Sequence, residues 1–153
     1  MKSKARAVVI GGGVVGVSTL YHLAAKGWDD SILLERKSLT SGSTWHAAGL
    51  LPLFNMSYSV GQIHKYSVRF YQELQDETGM DVGFRKVSNI RLASTQDRMD
   101  EYLQYKGVAD TIGVKVNVLS PKEIKDCWPL VSTENLIGAI QHPGVELLLL
   151  NFP

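Results

Sequence analysis

At 153 residues the chain has room for one domain with a real core and is small for two. Its 16 Lys and Arg against 15 Asp and Glu leave a net charge of +1, so no general field favours nucleic acid or an anionic membrane, and bound phosphate must be held by local backbone geometry. Cys127 is the single cysteine, which excludes an internal disulfide or a multi-cysteine metal site and fits a reducing cytoplasm; no apolar run approaches a membrane span, so the chain reads as soluble.

The basic start MKSKAR, followed by apolar residues, superficially resembles a leader, but the three adjacent glycines that follow argue for folded structure. Ala7-Val8-Val9-Ile10 is a short β-branched run, as expected of a strand buried on both faces of a parallel sheet. Gly11, Gly13 and Gly16 follow at G-x-G-x-x-G spacing, and Val14 to Lys26 reads as a helix stopped by Gly27. Gly11 permits the tight turn, Gly13 lets backbone approach a pyrophosphate, and Gly16 lets helix and strand pack closely. The N–H groups around Val14 and Val15 lack helical partners, and with the helix dipole they attract phosphate.

Ser31 to Glu35 reads as a second buried strand ending in an acid, 19 residues beyond Gly16. A dinucleotide fold places there the carboxylate that accepts the ribose hydroxyls. Arg36-Lys37 either sets two cations near the adenosine end or is a solvated pair at a strand end. The run Ser38 to Leu51 is rich in hydroxyls and small residues; Ser43 and Thr44 are potential phosphate donors, and Gly42 and Gly49 allow close backbone approach.

The glycine motif, the strand ending Glu35-Arg36 and the run SGSTWHAAGL (Ser41 to Leu50) resemble the amino-terminal part of the dimethylglycine and sarcosine dehydrogenases, members of the glycine-oxidase-like FAD-dependent amine oxidoreductases. The likeness extends from about Ala5 to Gly144. It implies that FAD is the cofactor and that His46 carries it covalently through the flavin 8α carbon. It also implies that Gly42, Ser43, Thr44, Trp45, His46, Ala47, Ala48, Gly49 and Leu50 lie along the flavin. Neutral imidazole is a nucleophile near neutral pH, as such a link requires. The implied fold is α/β: a Rossmann-like parallel sheet of the glutathione-reductase type, incomplete, with an additional α+β segment. The implied reaction is hydride transfer from an N-methylated glycine to the flavin. The amine-binding and catalytic residues are expected in later parts, so no catalytic residue and no metal ligand is assigned here.

Farther along, Asn55 or Ser57 caps a helix from about Ser59 to Glu77, with Val60, Ile63, Phe70 and Leu74 as its apolar face and Gly79 as its end. His64 is expected at the surface. Phe84 to Ala93 reads as a strand or hairpin. Thr95 caps a helix from Gln96 to about Thr111, with Met99, Leu103 and Ile112 inward. Val114 to Leu119 is a short strand, Ser120-Pro121-Lys122-Glu123 a helix start ending near Trp128-Pro129, and Leu136 to Gln141 another strand. Trp128 is expected as a core anchor.

His142-Pro143-Gly144 reads as a turn; residues 1–144 are expected to be the amino-terminal part of an FAD-binding oxidoreductase domain, followed by a divergent tail over 145–153, with the substrate domain absent. An unfinished sheet implies either missing carboxy-terminal domains as partners or self-association. Two other functional classes stay open: a catalytically inactive dinucleotide-binding module, and an NAD(P)-binding domain, in which SGSTWHAAGL would have no purpose.

Overall fold

The computed structural model describes residues 4–148, the last four by their backbone alone. It divides between Ala48 and Gly49 into two compact units.

In the first unit, strand β1 (Ala7–Ile10), helix α1 (Val14–Ala25) and strand β2 (Ser31–Leu34) form a βαβ crossover. The strands are parallel, with Ala7 opposite Ser31 and Ile10 opposite Leu34. Arg6 N–H to the Asp30 carbonyl and Gly11 N–H to the Leu34 carbonyl, both 2.8 Å, extend the ladder at its two ends. Gly27 stops α1 at a positive φ of 78°, its N–H returning to the Ala24 carbonyl. A 3-10 turn, Ser43–His46, completes the unit. The expectation of a β1 buried on both faces does not hold. Ile10 is 85% exposed, because one helix packs on a sheet that has two strands among the described residues.

The second unit is antiparallel. Strand β3 (Leu50–Leu51), helix α2 (Tyr58–Thr78), strand β4 (Phe84–Ala93), helix α3 (Gln96–Ile112), strand β5 (Asn117–Leu119), helix α4 (Pro121–Cys127) and strand β6 (Gly138–Leu148) follow in order. Strand β6 is central, with β4 along one edge and β3 and β5 along the other. The expected turn at His142-Pro143-Gly144 is instead an irregularity inside β6. Asn89 pairs with His142 and Val87 with Val145, so Ser88 faces two residues without a Cα partner. Proline has no N–H for the ladder and glycine tolerates the bend, so a bulge takes up both residues without ending the strand. The Ser88 hydroxyl bridges it, donating to the His142 carbonyl at 3.3 Å and accepting from Gln141 Nε2 at 3.0 Å.

Caps define the helices as their sequences suggest. Ser57 Oγ accepts from Val60 N–H, and Asn55 Oδ1 accepts from Ser57 N–H. Thr95 caps α3. Ser120 and Glu123 form a reciprocal capping box with Pro121 at the first helical position. Packing differs more. The buried stripe of α3 is Met99, Tyr102, Tyr105, Ala109 and Ile112, while Leu103 is 46% exposed. Two tyrosines take the inner face because their hydroxyls find carbonyls: Tyr102 donates to Leu92 and Tyr105 to Leu53. On α2, Ile63 is 63% exposed. The helix approaches α3 through buried Gly61, where a Cβ would overlap the Ile112 side chain. His64 is half-buried, with its Nδ1 unpartnered. A smaller core of Leu119, Ile124 and Ala139 holds Trp128, as expected of an anchor.

His142 on β6 is 1% exposed. Its Nε2 lies 2.8 Å from the Tyr105 hydroxyl. That hydroxyl has one proton and donates it to the Leu53 carbonyl at 2.9 Å, so Nε2 carries the imidazole proton and Nδ1 is a buried acceptor with no partner. Burial first, and the Arg91 charge second, pull the imidazole pKa down to about 4.

Candidate dinucleotide site

The site lies at the carboxyl ends of β1 and β2, where the first turn and the loop after β2 fold onto each other. Gly11 stands at φ 107°, a conformation that side chains other than glycine rarely adopt. A Cβ on Gly16 would overlap the Gly11 carbonyl oxygen, so turn and helix meet backbone to backbone. The spacing of these two glycines is therefore a steric requirement of this crossover.

The loop after β2 closes over the turn through Gly12, a residue the motif leaves unspecified. Gly12 N–H donates to Glu35 Oε2 at 2.6 Å, and Thr40 N–H donates to the Gly12 carbonyl at 2.9 Å. A side chain at Gly12 would meet Leu39 Cδ2 at 2.6 Å and Glu35 Cβ at 3.1 Å. The run of three glycines carried the signal, because its middle member also lacks a side chain. Thr40 supports the closure at an unusual φ of 64°.

Glu35 is thus anchored at the glycine turn. Its second oxygen, Oε1, accepts from Lys37 N–H at 2.8 Å. Hydrogen bonds from Gly12 and then Lys37 hold its pKa below the usual carboxylate value. An ionised carboxylate offers about four lone-pair directions. Gly12 and Lys37 take two of them, with a weaker contribution from Arg36 N–H, so acceptor capacity for a hydroxyl donor remains.

Thr44 reaches the other wall. Its Oγ1 accepts from Val14 N–H at 2.9 Å, supplying a cap that Gly13 has no side chain to provide. The Thr44 hydroxyl proton stays available for a further acceptor. Val15 is exposed in the first turn of α1, where N–H groups have no acceptor within the helix. The 3-10 turn that contains Thr44 also carries exposed Ser43, Trp45 and His46. Bonds from Trp45 N–H to the Thr40 and Gly42 carbonyls and from Ala47 N–H to Thr44 hold it.

Gly11, Gly13, Val14, Gly16, Glu35 and Thr44 therefore converge, and His46 stands two residues from the Thr44 contact. Arg36, Gly42, Ala47 and Ala48 are exposed along the same loop. Gly49, at φ 71°, and Leu50, paired with Leu147, belong to the second unit. Among the described residues no group of His, Cys, Asp and Glu could hold a metal ion, and no helix is long and apolar enough to cross a membrane.

Comparison with known proteins bears on this arrangement. Dimethylglycine dehydrogenase of Rattus norvegicus, a mitochondrial protein, is 40% identical over 143 residues, covering 94% of this chain. Sarcosine dehydrogenase of Homo sapiens, also mitochondrial, is 40% identical over 144 residues and again covers 94%. The chain spans 17% and 16% of the lengths of those two relatives. Among solved structures, glycine oxidase from Bacillus cereus is 26% identical with a TM-score of 0.75, covering 95% of this chain and 40% of that one. L-proline dehydrogenase from P. horikoshii, at 23% identity, shares the fold with a TM-score of 0.86 over 97% of this chain and 39% of its own. The family described as FAD dependent oxidoreductase matches residues 6–147, and the chain belongs to that family.

Proposed function

We propose that the first unit holds FAD by its adenosine diphosphate part and serves an enzyme that oxidises N-methylated glycines such as dimethylglycine or sarcosine. The observation that carries this reading is Glu35: an ionised carboxylate, tied to Gly12 N–H and with lone pairs to spare, beside the open amino terminus of α1. In this reading Gly11, Gly13 and Gly16 admit the pyrophosphate, and the N–H groups of Val14 and Val15 together with the Thr44 hydroxyl bind it. Glu35 accepts the ribose hydroxyls, Arg36 flanks the adenosine, and the loop from Gly42 through Leu50 runs along the flavin. Flavin held there would supply the two-electron acceptor that oxidation of an amine requires.

His46 is the covalent anchor in this reading. Its exposed imidazole, held by a turn pinned to the α1 terminus through Thr44, supports the role. His46 would hold the flavin through a bond from an imidazole nitrogen to its 8α carbon. Amine-binding and catalytic side chains are assigned to parts of the protein outside this chain. Strands β1 and β2 each have one neighbour among the described residues, which supports addition of further strands, from those parts or from a second copy. The lone, exposed Cys127 supports a reducing compartment.

Acid precipitation of flavin-loaded protein tests the anchor. Flavin absorbance is expected to stay with the pellet of the native protein and to wash out of His46→Ala, which still binds FAD reversibly. Complete release from the native protein overturns the assignment of His46 while leaving FAD binding intact.

A further inference from the structure

The second unit contains a cavity of about 280 Å³ that no part of the flavin reading uses. Leu53, Val68, Val114 and Pro143 give it an apolar wall, and Lys65, Lys86 and Lys115 are charged lining residues; among the described residues that line it there is no Asp or Glu. All three lysines are exposed residues. The Lys65 ammonium donates to the Ile112 carbonyl at 2.8 Å, which fixes it beside Gly113. The Lys86 side chain lies over Gly144, with Nζ 3.7 Å from where a Cβ would stand. Both glycines thus mark points where an ammonium group runs close to bare backbone at the cavity. Among the described residues no ion pair joins Lys65 or Lys115 to an acid.

An anion placed among lysine ammonium groups gains charge-assisted hydrogen bonds. The apolar wall selects further. Inorganic phosphate would leave it against water, whereas an aliphatic carboxylate covers it with its own chain. The volume is at the small end for ligand cavities, which suits a molecule of few heavy atoms. We infer that this cavity is a binding site for a small aliphatic carboxylate, its charged end held by Lys115 and Lys65 and its body against Leu53, Val68 and Val114. The inference is independent of FAD binding, since every residue in it lies in the second unit.

Titration of the full chain with sodium hexanoate, hexanamide and inorganic phosphate, followed through backbone amide resonances, tests it. Hexanoate is expected to shift the amides of Gly113, Lys115 and Gly144 saturably, with hexanamide at least about tenfold weaker. Lys115→Gln is expected to weaken hexanoate severalfold and to leave hexanamide unchanged, a pattern that unfolding would not produce. Equal binding of hexanamide, phosphate as strong as hexanoate at the same amides, or no saturable shift would each overturn the inference.

Discussion

Gly16→Val is expected to remove FAD binding and to loosen the first unit while leaving the second folded. A side chain at this position runs into the Gly11 carbonyl, which is backbone and has no room to retreat. Gly11 is held from both sides: its N–H is bonded to Leu34 at 2.8 Å, and its φ of 107° leaves few alternative conformations. Relief therefore requires α1 to move off the strands, which also spreads Glu35 and Thr44 away from the turn. Overpacking against fixed backbone costs on the order of 3 kcal/mol. Hydrogen exchange measured segment by segment should show protection lost across β1 and β2 and retained in β4 and β6. Gly107→Ala is the control. That residue lies within α3 with nothing near its absent Cβ, so alanine there should stabilise the helix by about 0.5–1 kcal/mol. A Gly16→Val chain with native protection and native FAD affinity would show that the close approach is dispensable.

The second unit should lose stability as pH falls from about 6.5 towards 4, by up to about 3 kcal/mol. The cause is His142. Its folded pKa is depressed to about 4 from an ordinary 6.5, so over that interval the unfolded chain takes up a proton that the folded chain refuses. Stability therefore rises with pH through this window and has no further dependence on His142 above it. Among the described residues no acid acts on the buried imidazole: Tyr105 faces Nε2 from α3, and Arg91 is the charge that acts on it from β4. The Tyr105 hydroxyl, pushed up to about 12 by burial, stays neutral throughout. Glu35, Asp81 and Glu123 have lowered pKa values and also weaken the fold in acid, but their windows open only near and below the ordinary carboxylate range. Urea unfolding at pH 7, 6 and 5 separates the two contributions. His142→Leu should flatten the change between pH 6.5 and 5, at some cost in overall stability. An equally steep decline in that variant would assign the effect to another group.

Much of the first unit was legible because its constraints are local. A β-branched run, glycines at fixed spacing, a helix and an acid at the end of the next strand each follow from a short-range rule. The caps at Ser57, Thr95 and Ser120 were legible for the same reason. Gly12 was harder to single out, since its importance comes from Leu39 and Thr40 folding back from more than twenty positions away. His142-Pro143-Gly144 has the composition of a turn, and only the pairing of β6 with β4 on one side and β3 and β5 on the other shows a strand passing through it. Leu103 outranks Tyr102 and Tyr105 on any hydrophobic scale. The tyrosines are inside because the Leu92 and Leu53 carbonyls are there to accept their protons, a fact that hydrophobic periodicity does not encode. The pinning of Glu35 to Gly12 likewise depends on the loop after β2 closing, which motif spacing suggests and hydrogen-bond geometry supplies.

Competition between nucleotides addresses the central claim most directly. If the glycine turn, the α1 terminus and Glu35 grip the adenosine diphosphate part, FAD should bind the unloaded chain saturably and ADP should displace it. FMN, which lacks that part, should not compete, and Glu35→Gln should weaken FAD and ADP alike by about tenfold. Displacement of FAD by FMN with no effect of ADP, or FAD binding untouched by Glu35→Gln, would contradict the assignment of this crossover as the FAD site.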